Sequence, residues 1–308
     1  MEQEGTNPEK ERAYSWFPGH MRKALRQLEE SLNLADIVLL VMDARIPNSS
    51  RQPDIEAMLK RKNKEMLLVL NKADLADDAE TKKWLSFLQS EGLEAVSIRA
   101  TAGKGAGPLA DYIAKLRQKT DAKRKAKGML PRDPRIAVAG IPNVGKSSLL
   151  NRLAGASRAK TGAKPGITRG NQWVSVPGSW QVLDSPGILY PRIEGEFPLT
   201  SLAASSCISI ETIPLERVGG LFLQRLIKLN RAKRLFKNNP DWSQQFDGNA
   251  KPEDLLTSFA IAKNFMINAN EPDTVRAARF LLKCFAQGDL GRATLETLEL
   301  CGFHTDIV

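Results

Sequence analysis

The stretch "GIPNVGKSS", beginning at Gly140, constrains the fold more than any other feature of the chain. Gly140 to Ser147 follows the spacing G-x-x-x-x-G-K-S, with strand-like "RIAVA" before it and helix-like "SSLLNRLAG" after it. A loop of this kind has to be held between a strand and a helix N-terminus, which requires an α/β unit. Its glycines let backbone N–H groups wrap phosphate oxygens, and the helix contributes the positive end of its dipole. Lys146 is then placed to reach the β- and γ-phosphates and Ser147 to ligate Mg²⁺. Asn143, Val144, Gly145 and Ser148 complete the predicted cradle.

The segments ahead of this loop repeat the same α/β logic. "ADIVLLVMDA" and "EMLLVLNKADL" are continuous apolar runs, the pattern of strands buried on both faces. "DIEAMLKRKN", "TKKWLSFLQSEG" and "GPLADYIAKLRQ" read as helices, and "EAVSIRA" as a short strand. The alternation predicts a mainly parallel sheet flanked by helices. "KTDAKRKAKGMLPRDPR" is basic and carries Gly and Pro, and reads as a linker. From about Phe197 the strand pattern stops and helical spacing takes over. The chain of 308 residues therefore divides into a domain over 1–196 and a smaller all-α domain over 197–308.

Two further motifs give the loop a nucleotide. "NKAD" at Asn71 ends an apolar strand, as a guanine reader does, with Asn71 and Lys72 beside Asp74. Asp74 can accept from both N1–H and the exocyclic amine of guanine, a pair that adenine lacks. A site built for such paired bonds rejects the wrong base because its polar groups are left unpaired. Ala100, in "SIRATAG", is predicted to turn its N–H toward the guanine oxygen. "VLDSPG" puts Asp184 at a strand end, suited to hold Mg²⁺ indirectly, and lets Gly187 offer its N–H to a γ-phosphate. Thr168, in "KPGITRG", lies between and is the candidate switch threonine on Mg²⁺.

The order of these motifs is unusual. The base reader precedes the phosphate loop, whereas an unpermuted GTPase has the reverse. Cutting such a protein after its "DxxG" and rejoining its old ends gives the order seen here. The expected fold is thus a circularly permuted P-loop GTPase domain followed by a helical C-terminal domain, with the basic linker as the rejoining segment. Closing a surface loop costs little extra with length, so sheet and pocket survive the rearrangement.

Together, "WFPGHM", "DARIP", "NKADL", "GIPNVGKSS", "KPGITRG", "DSPGIL" and "GDLGRATLE" resemble the YlqF/RbgA family, the ribosome biogenesis GTPases A. The resemblance runs from about Ser15 to near the end of the chain. It implies hydrolysis of GTP to GDP and phosphate, a role in late maturation of the large (50S) ribosomal subunit, and a C-terminal domain that touches rRNA. The alternative is a nucleotide-gated RNA-binding switch in which hydrolysis is incidental. Ile188 stands where many GTPases place a water-orienting Gln, which predicts slow intrinsic turnover and stimulation by the subunit. In the permuted order, His20 falls near the γ-phosphate, and the resemblance implies catalysis; a helix cap and an RNA contact are its other readings. Similar GTPases with Asn at position 143 bind K⁺ there. "DARIP", with Asp43 and Arg45, reads either as shaping the sheet edge near the pocket or as a plain turn.

"LFLQRLIKLNRAKRLFKNN" reads as one amphipathic helix whose outer face carries Arg225, Lys228, Arg231, Arg234 and Lys237, the candidate RNA contacts. The bland reading of that face is solvation. A net charge of +10 agrees with a polyanionic partner such as nucleic acid, and the resemblance implies that this is RNA, with no DNA expected. The cysteines, Cys207, Cys284 and Cys301, are far apart and form no CxxC pair, which argues against a structural zinc site. No apolar run reaches the length of a membrane span, and the start of the chain has no signal-peptide core. A cytoplasmic protein without membrane contact is expected.

Overall fold

The computed structural model describes residues 13–15, 29, 30, 32–100, 107–130, 132, 134–153, 172–176, 180–184, 192–235, 246 and 249–303. In chain order the first elements are β1 (Ala13–Ser15), β2 (Ile37–Asp43), α1 (Pro47–Ser50), α2 (Pro53–Arg61) and β3 (Glu65–Asn71). They are followed by α3 (Asp78–Ser90), β4 (Ala95–Ser97), α4 (Gly107–Ala126), β5 (Arg135–Ala139) and α5 (Lys146–Leu153). Next come β6 (Gln172–Val176), β7 (Trp180–Asp184), β8 (Arg192–Glu194), α6 (Glu196–Ala204) and α7 (Leu215–Lys228). The last are α8 (Pro252–Ala262), β9 (Met266–Asn268), β10 (Glu271–Pro272) and α9 (Thr274–Gln287).

The central sheet has six strands in the order β4-β3-β2-β5-β7-β6. All neighbours are parallel except β6, which runs antiparallel to β7. The phosphate-loop strand β5 thus sits at the middle, with earlier strands on one side and later ones on the other. This placement is what a rotated chain order requires. It brings the C-terminal ends of β2, β3, β4 and β5 to one edge of the sheet, where α/β proteins bind ligands.

Both faces of the sheet are covered, which explains the unbroken apolar runs. Ile37, Leu39, Val41, Leu67, Val69, Ile136 and Val138 face one core. Val38, Leu40, Met42, Leu68, Leu70, Ala137 and Ala139 face the other. The first core takes in α4 and α5 and continues into α6–α9 through Leu202, Phe222, Phe259 and Phe285. The second is closed by Leu59 of α2 and by Trp84 and Leu88 of α3. Leu298 joins this second core, and Phe303 packs on it, so the segment after α9 returns to the sheet. Trp84 Nε1 donates to the Glu296 carbonyl at 2.8 Å, fixing that return.

Helix ends follow side-chain chemistry. Asp77 caps α3 by accepting from Ala79 N at 3.0 Å and Glu80 N at 3.3 Å. Asp273 caps α9 by accepting from Arg276 N at 2.8 Å, and Gly288 ends that helix at φ 85°.

Three sequence expectations change. Helix α4 runs through Ala126 into the expected linker, because Lys, Arg and Ala are strong helix formers there, and it stops before Gly128 at φ 68°. The helical C-terminal region also contains a small antiparallel hairpin, β9–β10. Finally, the expected long basic helix is broken: α7 ends at Lys228, Asn230 takes φ 55°, and Ala232–Leu235 forms a separate 3₁₀ turn.

Candidate nucleotide-binding site

Four strand ends build the site. The turn after β5 makes its closest approach at Gly140, whose φ of 151° and nearness to the Val41 carbonyl exclude a Cβ. Gly145, at φ 99°, lies so close to the Asn71 amide that any side chain would displace it. That contact serves a purpose. Asn71 is 2% exposed; its Nδ2 donates to the Val144 carbonyl at 2.8 Å, and its Oδ1 accepts from Ala100 N at 3.0 Å. One side chain therefore ties the phosphate loop, the base reader and the base loop together. Lys146 Nζ lies in the concave loop and donates to the Ile141 carbonyl at 2.9 Å. Ser147 and Ser148 occupy the first turn of α5.

Beside this bridge sits a buried charge cluster. Asp43, fully buried at the end of β2, accepts from Arg45 Nε at 3.0 Å and Nη2 at 2.8 Å. Lys72 Nζ reaches the same carboxylate at 2.8 Å, with Lys72 itself in the left-handed region at φ 60°. Burial alone would raise the Asp43 pKa, but the Arg45 and Lys72 charges and hydrogen bonds prevail and hold it well below the usual carboxylate range. Arg45 Nη1 also donates to the Phe285 carbonyl at 2.8 Å, and its guanidinium stacks 4.7 Å from the Phe285 ring. Removing one partner from a buried pair like this costs about 3–5 kcal/mol. "DARIP" is therefore a strut from the base reader to α9, more than a shaper of the sheet edge or a plain turn.

Asp74 borders a cavity of about 650 Å³ together with Ala73, Ser97, Arg99 and Arg292. Sequence reasoning missed Arg292. Its signal is the paired glycines of "GDLG" just ahead of it; Gly288 and Gly291 both take positive φ and turn the chain back toward the sheet.

The structure corrects several expected site residues. The Ala100 N–H is committed to Asn71 Oδ1, so it holds the base loop in place instead of pointing at a guanine oxygen. Asn143 is drawn toward the helical region, with Nδ2 donating to the Ser206 carbonyl at 2.6 Å. Arg225 is not on an outer basic face. It donates to Ser201 Oγ at 2.7 Å and to the Phe197 carbonyl at 3.2 Å, and stacks 3.8 Å from the Phe197 ring. Burial lowers its pKa to about 10. Arg231 turns back to pair with Asp77 at 2.6 Å, and Arg234 packs against Gly291. Of the expected RNA contacts, Lys228 on α7 and Arg234 in the 3₁₀ turn stand exposed. Asp184 closes β7 in register with Val138 of the phosphate-loop strand. His20, Thr168, Gly187 and Lys237 lie outside the described residues.

Comparison with known proteins agrees with this geometry. Residues 135–212 match the family model described as "50S ribosome-binding GTPase". The chain is 39% identical to ribosome biogenesis GTPase A of Bacillus cereus over 95% of its length and 97% of that protein. It is 32% identical to the Thermotoga maritima protein of the same name, over 92% of this chain and 95% of that one. The solved GNP-bound structure of YlqF from T. maritima superposes with a TM-score of 0.62 at 27% identity, covering 90% of this chain and 99% of that one. With its phosphate loop and its base reader joined through Asn71, and with these relatives matching it nearly end to end, this GTPase belongs to the ribosome biogenesis GTPase A family.

Proposed function

We propose that the chain is a cytoplasmic assembly factor that hydrolyses GTP during late maturation of the large (50S) ribosomal subunit and binds its rRNA in a nucleotide-dependent way. The observation that carries this is the attachment of the helical region to the phosphate loop, to the base-reading turn and to the buried Asp43 cluster beside them. Asn143 of the phosphate loop bonds Ser206, Arg45 bonds Phe285, and Arg292 bonds the turn that follows Lys72. A change at the nucleotide can thus reach the surface that would meet RNA. Among the described residues, no helix is long and apolar enough to cross a membrane.

Within the site, Asn71 and Lys72 hold the base-reading turn, Asp74 accepts from the guanine edge, and Val144, Gly145, Lys146 and Ser148 take the phosphates. Mg²⁺ fits the donors that remain: Ser147, Thr168 and Asp184 offer hard oxygens. Among the described residues no group of three or more His, Cys, Asp or Glu forms a metal cage. A cation held by one or two protein oxygens and substrate phosphates is the way Mg²⁺ binds. When bound, it neutralises charge that develops on the phosphates. A K⁺ ion would take the amide oxygen of Asn143 as ligand, because the oxygen is the only atom of an amide that can coordinate a cation. His20 supplies the group beside the γ-phosphate that Ile188 cannot, and Gly187 offers its N–H there.

GTP turnover, measured with and without purified large subunits and in K⁺ and in Na⁺, tests the reading. Saturable stimulation that is greater in K⁺ is expected. His20→Ala should lower the stimulated rate with GTP affinity nearly intact, because a group that acts only in the transition state changes rate and not ground-state binding. Absence of stimulation would overturn the assembly-factor reading, and wild-type stimulated turnover in the variant would remove His20 from catalysis.

A further inference from the structure

The segment "GDLGRATLE" lies far from the phosphate loop in sequence, yet it surrounds the turn that carries Asp74. Arg292 Nε donates to the Ala76 carbonyl at 2.9 Å, and its Nη2 donates to the Ala73 carbonyl at 3.1 Å. The same nitrogen pairs with the Asp78 carboxylate. Ala293 N donates to the Leu75 carbonyl at 2.9 Å, and Asp77 N donates to Thr294 Oγ1 at 3.1 Å. Thus the backbone groups of residues 73, 75, 76 and 77 are all engaged from this one segment. Gly288, at φ 85°, packs on the Leu75 side chain, whose methyl would have to move to admit a Cβ.

Arg292 also forms part of the wall of the cavity that Asp74 borders. The turn it grips carries the one side chain that distinguishes guanine. The sheet side of that turn is held by Ala73 N on the Ile98 carbonyl at 3.2 Å and by Lys72 Nζ on Asp43 at 2.8 Å, and its local backbone bond runs from Leu75 N to the Lys72 carbonyl; on the outer side the Ala73 and Ala76 carbonyls are taken by Arg292. A carboxylate that must meet two donors at once needs its backbone fixed to a fraction of an ångström.

We propose that Arg292 is a positioning residue for guanine specificity, so that the C-terminal segment completes the base site. This rests on the reading of Asp74 as the guanine reader. Arg292 acts through the Ala73 and Ala76 carbonyls, which fix the direction of the Asp74 carboxylate, and its guanidinium plane closes the outer side of the base cavity. Base recognition and docking of the C-terminal segment are then one equilibrium. A protein whose segment has been pulled away should hold guanine loosely, and guanine nucleotide should hold the segment down.

The test uses the full chain and competition against a fluorescent GDP, with GDP and inosine diphosphate as competitors. Inosine lacks the exocyclic amine that Asp74 accepts from, so the ratio of the two affinities reports the Asp74 position alone. The wild type should prefer GDP. Arg292→Gln should weaken GDP about tenfold, the scale of a lost charged hydrogen bond, and bring the ratio toward one. Arg292→Lys, which keeps the charge but only one donor direction, should fall between and serves where Arg292→Gln does not fold. Thermal unfolding of each variant is followed in parallel. A merely structural role would lower the melting temperature and leave the ratio at its wild-type value in the folded fraction, and that result would overturn the proposal. A wild type that fails to discriminate the two nucleotides would overturn the reading of Asp74 itself, before any variant is compared.

Discussion

Asn71 shows how much one amide can organise. It offers both a donor and an acceptor in fixed geometry, and both are used: Val144 O at 2.8 Å and Ala100 N at 3.0 Å. Asp would repel the Val144 carbonyl, and Gln would overreach, because Gly145 already leaves no free space beside Nδ2. Asn71→Ala leaves a buried carbonyl and a buried N–H without partners, which costs about 1–3 kcal/mol. We therefore expect a lower urea midpoint with an unchanged m-value, together with weaker binding of both GTP and GDP. The nucleotides lose affinity alike because the amide holds loops and has no part in reading the γ-phosphate. A variant with wild-type stability and affinity would mean the bridge carries no energy.

At the scale of elements, α7 separates what sequence pattern can reveal from what it cannot. Its apolar stripe, Val218, Phe222, Leu223 and Leu226, is buried as helical spacing predicts. The same spacing puts Arg225 near the edge of that stripe, and only the fold decides its direction. Phe197 and Ser201, on α6, supply a ring and two acceptors that draw the guanidinium inward. Sequence pattern revealed the strands well, because burial on both faces writes an unbroken apolar run that little else produces. It also marked Asn71 as a strand end and Gly140–Ser147 as a strand-to-helix loop, as β3, β5 and α5 are arranged, because spacing and flanking apolar runs carry that placement. It did not reveal the grip of Arg292 on the base reader or of Arg45 on Phe285, since each joins residues more than two hundred positions apart. These assignments predict opposite phenotypes within one stretch of basic sequence. Arg225→Met should lower thermal stability and leave the salt dependence of large-subunit binding unchanged. Lys228→Ala combined with Lys233→Ala, the latter exposed in the 3₁₀ turn after α7, should leave stability unchanged and flatten that dependence by about one unit of log–log slope per lost phosphate contact. Sedimentation with subunits across a salt series separates the two, and a flattened slope for Arg225→Met would return that residue to the RNA surface.

For the whole molecule, the consequence is thermodynamic. The helical region is bound to the phosphate loop through Asn143 and Ser206, to the base reader through Arg292, and to the buried Asp43 cluster through Arg45. A nucleotide that alters any of these loops alters the cost of moving the helical region, and so the affinity for whatever that region holds. We expect tighter binding to large subunits with a non-hydrolysable GTP analogue than with GDP, because only the analogue keeps the γ-phosphate loops engaged. Linkage then fixes a second quantity: the subunit must raise affinity for the analogue over GDP by the same factor, about 5–150-fold for typical coupling. Sedimentation gives the first factor, and nucleotide competition on isolated complexes gives the second. Equal binding of subunits in the two nucleotide states would end the switch reading. Two factors that differ would show that another equilibrium, such as binding at a second site on the subunit, contributes to one of the measurements. If instead the factors agree, and both shrink in Arg292→Gln, the C-terminal segment is one route by which nucleotide and ribosome sense each other.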